Sequence, residues 1–215
     1  MPDLVLHIGN KNYSSWSFRP WIALEAAGIP FTDHVVPFDF PAGNPAFRGL
    51  SPTGRVPVLH HGDMRVWESL AIIEYVADLF PGAGIWPEDI AARAAARAIS
   101  MEMLAGFRAL RGACPMNIRR PRREIDLPEG VTDDVARIEA IWKEALARSG
   151  GPFLFGAFSA ADAMYAPVVN RFETYGLTRD ETALAYMERM KAHPAWRKWE
   201  AAALAEPWVV PEDEA

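Results

Sequence analysis

Apolar and polar residues alternate with two different periods along the first 80 positions. Leu4-Val5-Leu6-His7-Ile8 is a short apolar run closed by Gly9-Asn10, and it predicts a buried strand. Ser17 to Gly28 follows with a helical pattern: Ser17 is a candidate N-cap, Pro20 falls in the first turn, and Gly28 is a stop before Pro30. Phe31 to Val36 reads as a second strand, and Pro37 to Pro52 as loop with a little helix. Val56 to His60 and Arg65 to Trp67 read as two strands joined by a turn at Gly62-Asp63. Ser69 to Leu79 places Leu70, Ile73, Val76 and Ala77 at helical spacing. The order strand–helix–strand, loop, hairpin, helix predicts a small α/β sheet covered by helices.

Phe80-Pro81-Gly82-Ala83-Gly84 interrupts the pattern. Helical segments follow at Glu88–Cys114, Val131–Ser149, Ser159–Tyr175, Arg179–Ala192 and Pro194–Leu204. The expected division is therefore an α/β domain at 1–80, a linker at 81–87, and an all-α bundle at 88–215. On the first of these helices Ile99, Met103, Phe107, Leu110 and Cys114 form a stripe expected in the core. Met101, Leu104, Arg108 and Arg111 form the adjacent face, a candidate wall for a cleft, where the arginines would favour an anionic ligand. Arg119, Arg120, Arg122 and Arg123 are expected on a solvated loop. Phe158-Ser159-Ala160-Ala161-Asp162 predicts a capping box, and Pro167 predicts a kink two turns later.

Composition narrows the class. The chain has 215 residues, half of them apolar and 23% charged, the balance of a globular protein with a substantial core. With 22 basic and 28 acidic side chains the net charge is −6, which argues against a general nucleic-acid binder. A single cysteine, Cys114, excludes an internal disulfide and a cysteine-cluster metal site. The five histidines show no metal-ligand spacing, so no metal is expected. No apolar run approaches the ~20 residues that span a bilayer. The opening MPDLVLHIGN lacks the pattern of a signal peptide, so no membrane partner and a cytoplasmic location are expected.

Three stretches carry candidate chemistry. Tyr13-Ser14-Ser15-Trp16-Ser17-Phe18-Arg19-Pro20 lies between a strand end and a helix start, where free backbone N–H groups and the helix dipole favour an anion. Ser14 and Ser15 add hydroxyl donors there, although serines are also ordinary turn and cap residues. In Gly54-Arg55-Val56-Pro57, a cis Val56-Pro57 bond would turn the Val56 backbone outward to pair with a peptide-like ligand. Only about 5–6% of X–Pro bonds are cis, so frequency alone predicts trans. In Trp67-Glu68-Ser69, Ser69 is expected to cap the next helix; Glu68 suits an ammonium and Ser69 a carboxylate, together an α-amino acid end.

The order of these stretches, followed by a helical region, resembles the glutathione S-transferase superfamily over nearly the whole chain. The resemblance implies a thioredoxin-like N-terminal domain that binds glutathione through Ser14, Ser15, Arg55, Val56, Pro57, Glu68 and Ser69. It implies an all-α C-terminal domain that completes the second-substrate pocket, with Met101, Leu104, Arg108 and Arg111 as candidates. Ser14, five residues before Arg19, is the first candidate to donate a hydrogen bond to the glutathione sulfur, with Ser15 the runner-up and Tyr13 a further rival. The Ser-Ser-x-Ser-x-Arg pattern is most similar to the serine-type classes, zeta above all, but Trp16 stands where zeta members carry cysteine. The implied activity is addition of the glutathione thiolate to a small hydrophobic electrophile by a homodimer. The alternatives are a zeta-like cis–trans isomerase, a binding module without turnover, or a structural interaction domain.

Overall fold

Residues Asp3–Glu214 are described by a computed structural model. Strand β1 (Leu4–Ile8) is followed by helix α1 (Ser15–Ala26) and strand β2 (Thr32–Val35), and then by β3 (Val58–His61), β4 (Met64–Trp67) and helix α2 (Ser69–Leu79). The strands lie in the order β2-β1-β3-β4. β1 runs parallel to β2 and antiparallel to β3, with Leu6 paired to Asp33 on one side and to Leu59 on the other. β3 and β4 form an antiparallel hairpin. Because strand side chains alternate in direction, Leu4, Leu6 and Ile8 are buried while Val5 and His7 are only half-buried. This is the expected four-stranded mixed sheet with helices, followed by a helical domain.

Three local details differ from the sequence reading. The N-cap of α1 is Ser14, and Ser17 lies inside the helix. The Ser17 hydroxyl oxygen instead accepts from the Gly9 N–H at 3.1 Å, which ties the helix to the end of β1. The Val56-Pro57 peptide bond is cis, against frequency alone but as the family resemblance implies, and β3 begins two residues later than the apolar run suggests. Ser69 is the first residue of α2 and not its cap: Glu68 precedes it at φ +67°, and no side chain caps the helix. A glutamate in left-handed backbone geometry is a costly conformation that clusters at ligand sites.

The helical domain contains α3 (Ile90–Ala105), α4 (Arg108–Ala113), α5 (Val131–Ser149), α6 (Ala160–Tyr175), α7 (Glu181–Ala192) and α8 (Pro194–Ala205). The single helix expected over Glu88–Cys114 is therefore two. The break has a local cause. A Cβ on Gly106 would come within 2.8 Å of the Glu102 carbonyl, so only glycine fits there, and Phe107 follows at φ +56°. The turn re-aims Arg108 and Arg111 relative to α3.

The two halves share one hydrophobic core. α1 packs on α6 and α8, with Phe18 stacked on Trp199 at 4.6 Å and Trp21 edge-on to Trp199 at 5.1 Å. Such aromatic pairs contribute about 0.5–1.5 kcal/mol each beyond area burial. α6 is buried along nearly its whole length and is continuous through Pro167. Its capping box is formed: the Ser159 N–H donates to Asp162 Oδ2 at 2.9 Å. Asp162 Oδ1 also accepts from the Leu154 N–H and from the Tyr186 hydroxyl.

The arginine cluster is not all solvated loop. Arg119 donates to the carbonyls of Glu206 and Trp208 and to the Tyr13 hydroxyl, and so pins the C-terminal segment to the first domain. Arg122 and Arg123 are exposed as expected. No helix among the described residues is long and apolar enough to cross a membrane.

Candidate active site

Three adjoining cavities open where β1 passes into α1, and Trp16 lines all three. The smallest, about 260 Å³, brings together Arg55, Val56, Pro57, Glu68 and Ser69, with Arg111 reaching across from the helical domain. A second, about 310 Å³, is lined by Ser14, Ser15, Arg55 and Val56, with Phe38, Phe40 and Phe47 on its far wall. The third, about 540 Å³, lies between the domains and is bordered by Ser15, Leu104, Arg108, Arg111 and Arg171. Met101, the remaining candidate for that wall, is half exposed on α3 and does not line the cavities around Trp16. Leu104, on the same helix, faces the interdomain cavity, and the Gly106–Phe107 break re-aims only Arg108 and Arg111.

The two serines have different surroundings. The Ser14 hydroxyl donates to Ser17 Oγ at 2.7 Å, and its oxygen accepts from the Ser17 N–H at 3.4 Å. That side chain is 4% exposed and works as the helix cap. Ser15, the first residue of α1, is half-buried and belongs to the wall of both larger cavities. Tyr13 also borders these cavities, but its hydroxyl is taken by the Glu214 carboxylate and by Arg119. Burial, then the Glu214 contact, pushes the Tyr13 phenol up from its ordinary pKa. The Ser69 hydroxyl donates to the Trp16 carbonyl at 2.7 Å, which locks α2 to the start of α1.

Charge is concentrated around Trp16. The guanidinium carbons of Arg19 and Arg111 lie 4.3 and 4.6 Å from its ring centroid. Arg111 is fixed further by hydrogen bonds from Nη1 to the carbonyls of Leu104 and Gly106, both at 3.2 Å. Burial, then neighbouring Arg108, lowers the Arg111 pKa. Arg171 of α6 is 5% exposed, and burial followed by the Arg111 charge brings it down to about 10. Arg19 is fully buried; Nε donates to the Met164 carbonyl at 3.1 Å, while Nη1 is a buried donor without a partner among the described residues. Among the residues lining the interdomain cavity only Asp213 carries a carboxylate.

Arg171 and Asp213 were not anticipated from the sequence. Arg171 had a signal, a lone cation in an otherwise apolar helical stretch, whereas Asp213 reaches the cavity only because the C-terminal segment folds back. Among the described residues no group of three or more histidines, cysteines or acidic side chains is placed to hold a metal.

Residues 13–79 match the family model of the glutathione S-transferase N-terminal domain, and residues 90–202 match that of the C-terminal domain. The chain belongs to the glutathione S-transferase family. It is 42% identical over 82 residues to "Glutathione S-transferase 1" of Dianthus caryophyllus, covering 38% of this chain and 37% of that protein. It is 27% identical over 198 residues to a "Probable maleylacetoacetate isomerase" of Vibrio cholerae, covering 85% of this chain and 89% of that one. The chain spans about a third of the length of the carnation protein and under two thirds of the length of the plant relatives in rice and Arabidopsis thaliana. In fold it is similar to a glutathione transferase homologue from Burkholderia, solved with bound glutathione, at TM-score 0.73 and 21% identity over 96% of this chain and 100% of that one.

Proposed function

We propose that the chain is a glutathione transferase in which the Ser15 hydroxyl holds the glutathione thiolate and presents it to a small electrophile in the cleft between the domains. The observation that carries this reading is the position of Ser15. Its side chain lies on the wall shared by the cavity next to Val56 and the interdomain cavity. In this reading Val56 pairs with the backbone of the tripeptide, and Glu68 and the start of α2 receive its α-amino acid end. Ser14 then serves as the cap that fixes the turn.

The energetics are sufficient. Lowering a thiol pKa by about 2 units from its free value near 8.5 takes about 2.7 kcal/mol of preferential stabilisation of the anion. One charge-assisted hydrogen bond provides about 1.5–3 kcal/mol, and a helix N-terminus about 0.3–1 kcal/mol. A serine at the first position of α1 therefore suffices without a general base. Holding both reactants in one cleft supplies the rest through proximity. The same reading takes the protein as a homodimer, as the family resemblance implies, and as cytoplasmic, as the opening of the sequence suggests.

Purified protein should bind glutathione in calorimetry and conjugate it to at least one member of a panel of halo-aromatics, epoxides, isothiocyanates and peroxides. Binding without turnover on the whole panel would reduce the protein to a binding module, and absence of binding would leave only the architecture. A second reading is glutathione-dependent cis–trans isomerisation, supported by the extent of the match to the Vibrio cholerae relative. Trp16 in place of the cysteine argues against it, and assay with maleylacetone tests it directly.

A further inference from the structure

The interdomain cavity holds the Arg108 and Arg111 that the sequence placed on a cleft wall as a draw for anions, and adds Arg171 to them. Arg108, Arg111 and Arg171 all reach it, against the single carboxylate of Asp213, in a chain whose overall charge is −6. Basic side chains are thus gathered at one cleft of an acidic protein. A cleft of one sign focuses the field and draws in ligands of the other.

These arginines are built in. Arg111 is held by two carbonyls and by the Trp16 ring, so its planar fork is fixed before any ligand arrives. Arg171 is buried, with Nη1 bonded to the carbonyls of Arg111 and Cys114, and stands behind it in the cavity wall. Arg108 is exposed at the cavity edge, directly after the left-handed Phe107. The strained turn at Gly106–Phe107 gains no capping bond from a side chain of Phe107. What it accomplishes is to start a new helix that carries Arg108 and Arg111 to the cleft. Burial, then the charge of Arg108, lowers the Arg111 pKa, and burial, then the charge of Arg111, lowers that of Arg171. Fixed guanidinium forks match the two oxygens of a carboxylate, and the carboxylate-bearing residue Asp213 already lies in this wall beside Arg171.

We propose that the electrophile accepted in this cavity carries a carboxylate, held by Arg108 and Arg111 with Arg171 behind them, a step that rests on the glutathione transferase reading above. In the reaction the glutathione sulfur forms a bond to the electrophilic carbon, and the leaving group departs with its electron pair. The thiol proton passes to solvent. With 4-chloro-3-nitrobenzoate as probe, the new bond is carbon–sulfur, the broken bond carbon–chlorine, and chloride is released.

The test compares 4-chloro-3-nitrobenzoate with its methyl ester, which removes the charge and keeps the ring. Each kcat/KM is divided by the rate constant of the uncatalysed reaction with glutathione. The affinities of the two corresponding glutathione conjugates are measured by calorimetry. The acid should be favoured at least tenfold by the native protein, in turnover and in conjugate affinity. The preference should fall at least fivefold in Arg108→Gln, an exposed position where folding is not at stake, and further in Arg111→Gln. A preference in conjugate affinity alone still supports the assignment, because that measurement reads the anion site without chemistry. Equal affinity for acid and ester conjugates, or a preference untouched in Arg108→Gln and Arg111→Gln alike, overturns it. If glutathione binds but neither turnover nor conjugate affinity favours the acid, only the carboxylate assignment falls. If neither glutathione nor either conjugate binds, the transferase reading itself falls and takes this one with it.

Discussion

The Ser14 hydroxyl donates to Ser17 Oγ across 2.7 Å, so the serine that precedes α1 spends its proton inside the protein. Ser15, one residue on, borders the cavities. Their replacements should therefore separate. Ser15→Ala should lower kcat about a hundredfold, leave glutathione affinity within about threefold, and raise the pKa of the bound thiol by about 1–2 units, since it removes one hydrogen bond to an anion. Thiolate absorbance against pH measures the last effect. Ser14→Ala should cost about 1 kcal/mol of stability in urea unfolding, the usual loss for a helix cap, with a smaller effect on the thiol pKa. The reverse pattern would assign the sulfur to Ser14.

Glu68 is exposed, sits at φ +67° and lies in the cavity that also holds Val56 and Ser69. Glu68→Gln should weaken glutathione binding about tenfold, the loss of one ion pair to the ammonium of its α-amino acid end. Glutathione lacking that amino group should bind native protein and variant alike. Calorimetry on the two ligands checks both halves of the statement.

Asp162 is fully buried beneath the cap of α6, and burial pushes its carboxyl up to about 6 despite the hydrogen bonds it accepts. The folded state thus binds this proton more tightly than the unfolded chain, whose aspartate titrates near 3.9. The contribution of Asp162 to stability therefore declines as pH rises from about 4 to 6, by up to about 3 kcal/mol, and is level outside that window. Asp162→Asn should abolish this slope. It should also cost about 1–3 kcal/mol near neutral pH, because an amide nitrogen then meets an N–H donor. Unfolding free energy against pH, native minus variant, gives both numbers.

His7 shows the opposite sign. It lies beside His60 at 4.4 Å and His34 at 5.4 Å between ring centroids, and burial followed by His60, His34 and Arg65 lowers its pKa to about 4. The unfolded chain takes up this proton first, so stability is lost as pH falls from about 6.5 to 4. His7→Gln should flatten that acid limb. The half-exposed ring is screened by water, so the effect is smaller than the full shift implies. Thermal midpoints between pH 4 and 7 measure it.

Elements whose identity rests on nearest-neighbour chemistry were legible in the chain. Leu4–Ile8 and the Ser69–Leu79 periodicity gave a strand and a helix at those places, and the Ser159–Asp162 spacing gave a capping box. The errors arise where a distant partner decides. Ser17 is a good cap in isolation, but Ser14 caps three residues earlier by accepting from the Ser17 N–H, and the Ser17 oxygen accepts from the distant Gly9 N–H instead. The helix break is written in Gly106, yet a lone glycine within a helical pattern costs only about 1 kcal/mol and does not reveal a turn so close to the Glu102 carbonyl that no side chain would fit. In the cleft, Ser15, Arg55, Val56 and Glu68 come from one contiguous domain and can be read from motifs. Arg171 and Asp213 enter through tertiary packing, and no short pattern encodes them.

Arg111 belongs to the wall of the small cavity beside Glu68 and also to that of the large interdomain one. A single guanidinium cannot reorient toward one occupant without altering what it offers the other. Any energetic communication between the two sites through this side chain is equal in both directions. Held in place by two carbonyls and an indole, this one cation presents the same charge to both compartments, so whatever neutralises it on one side is felt on the other.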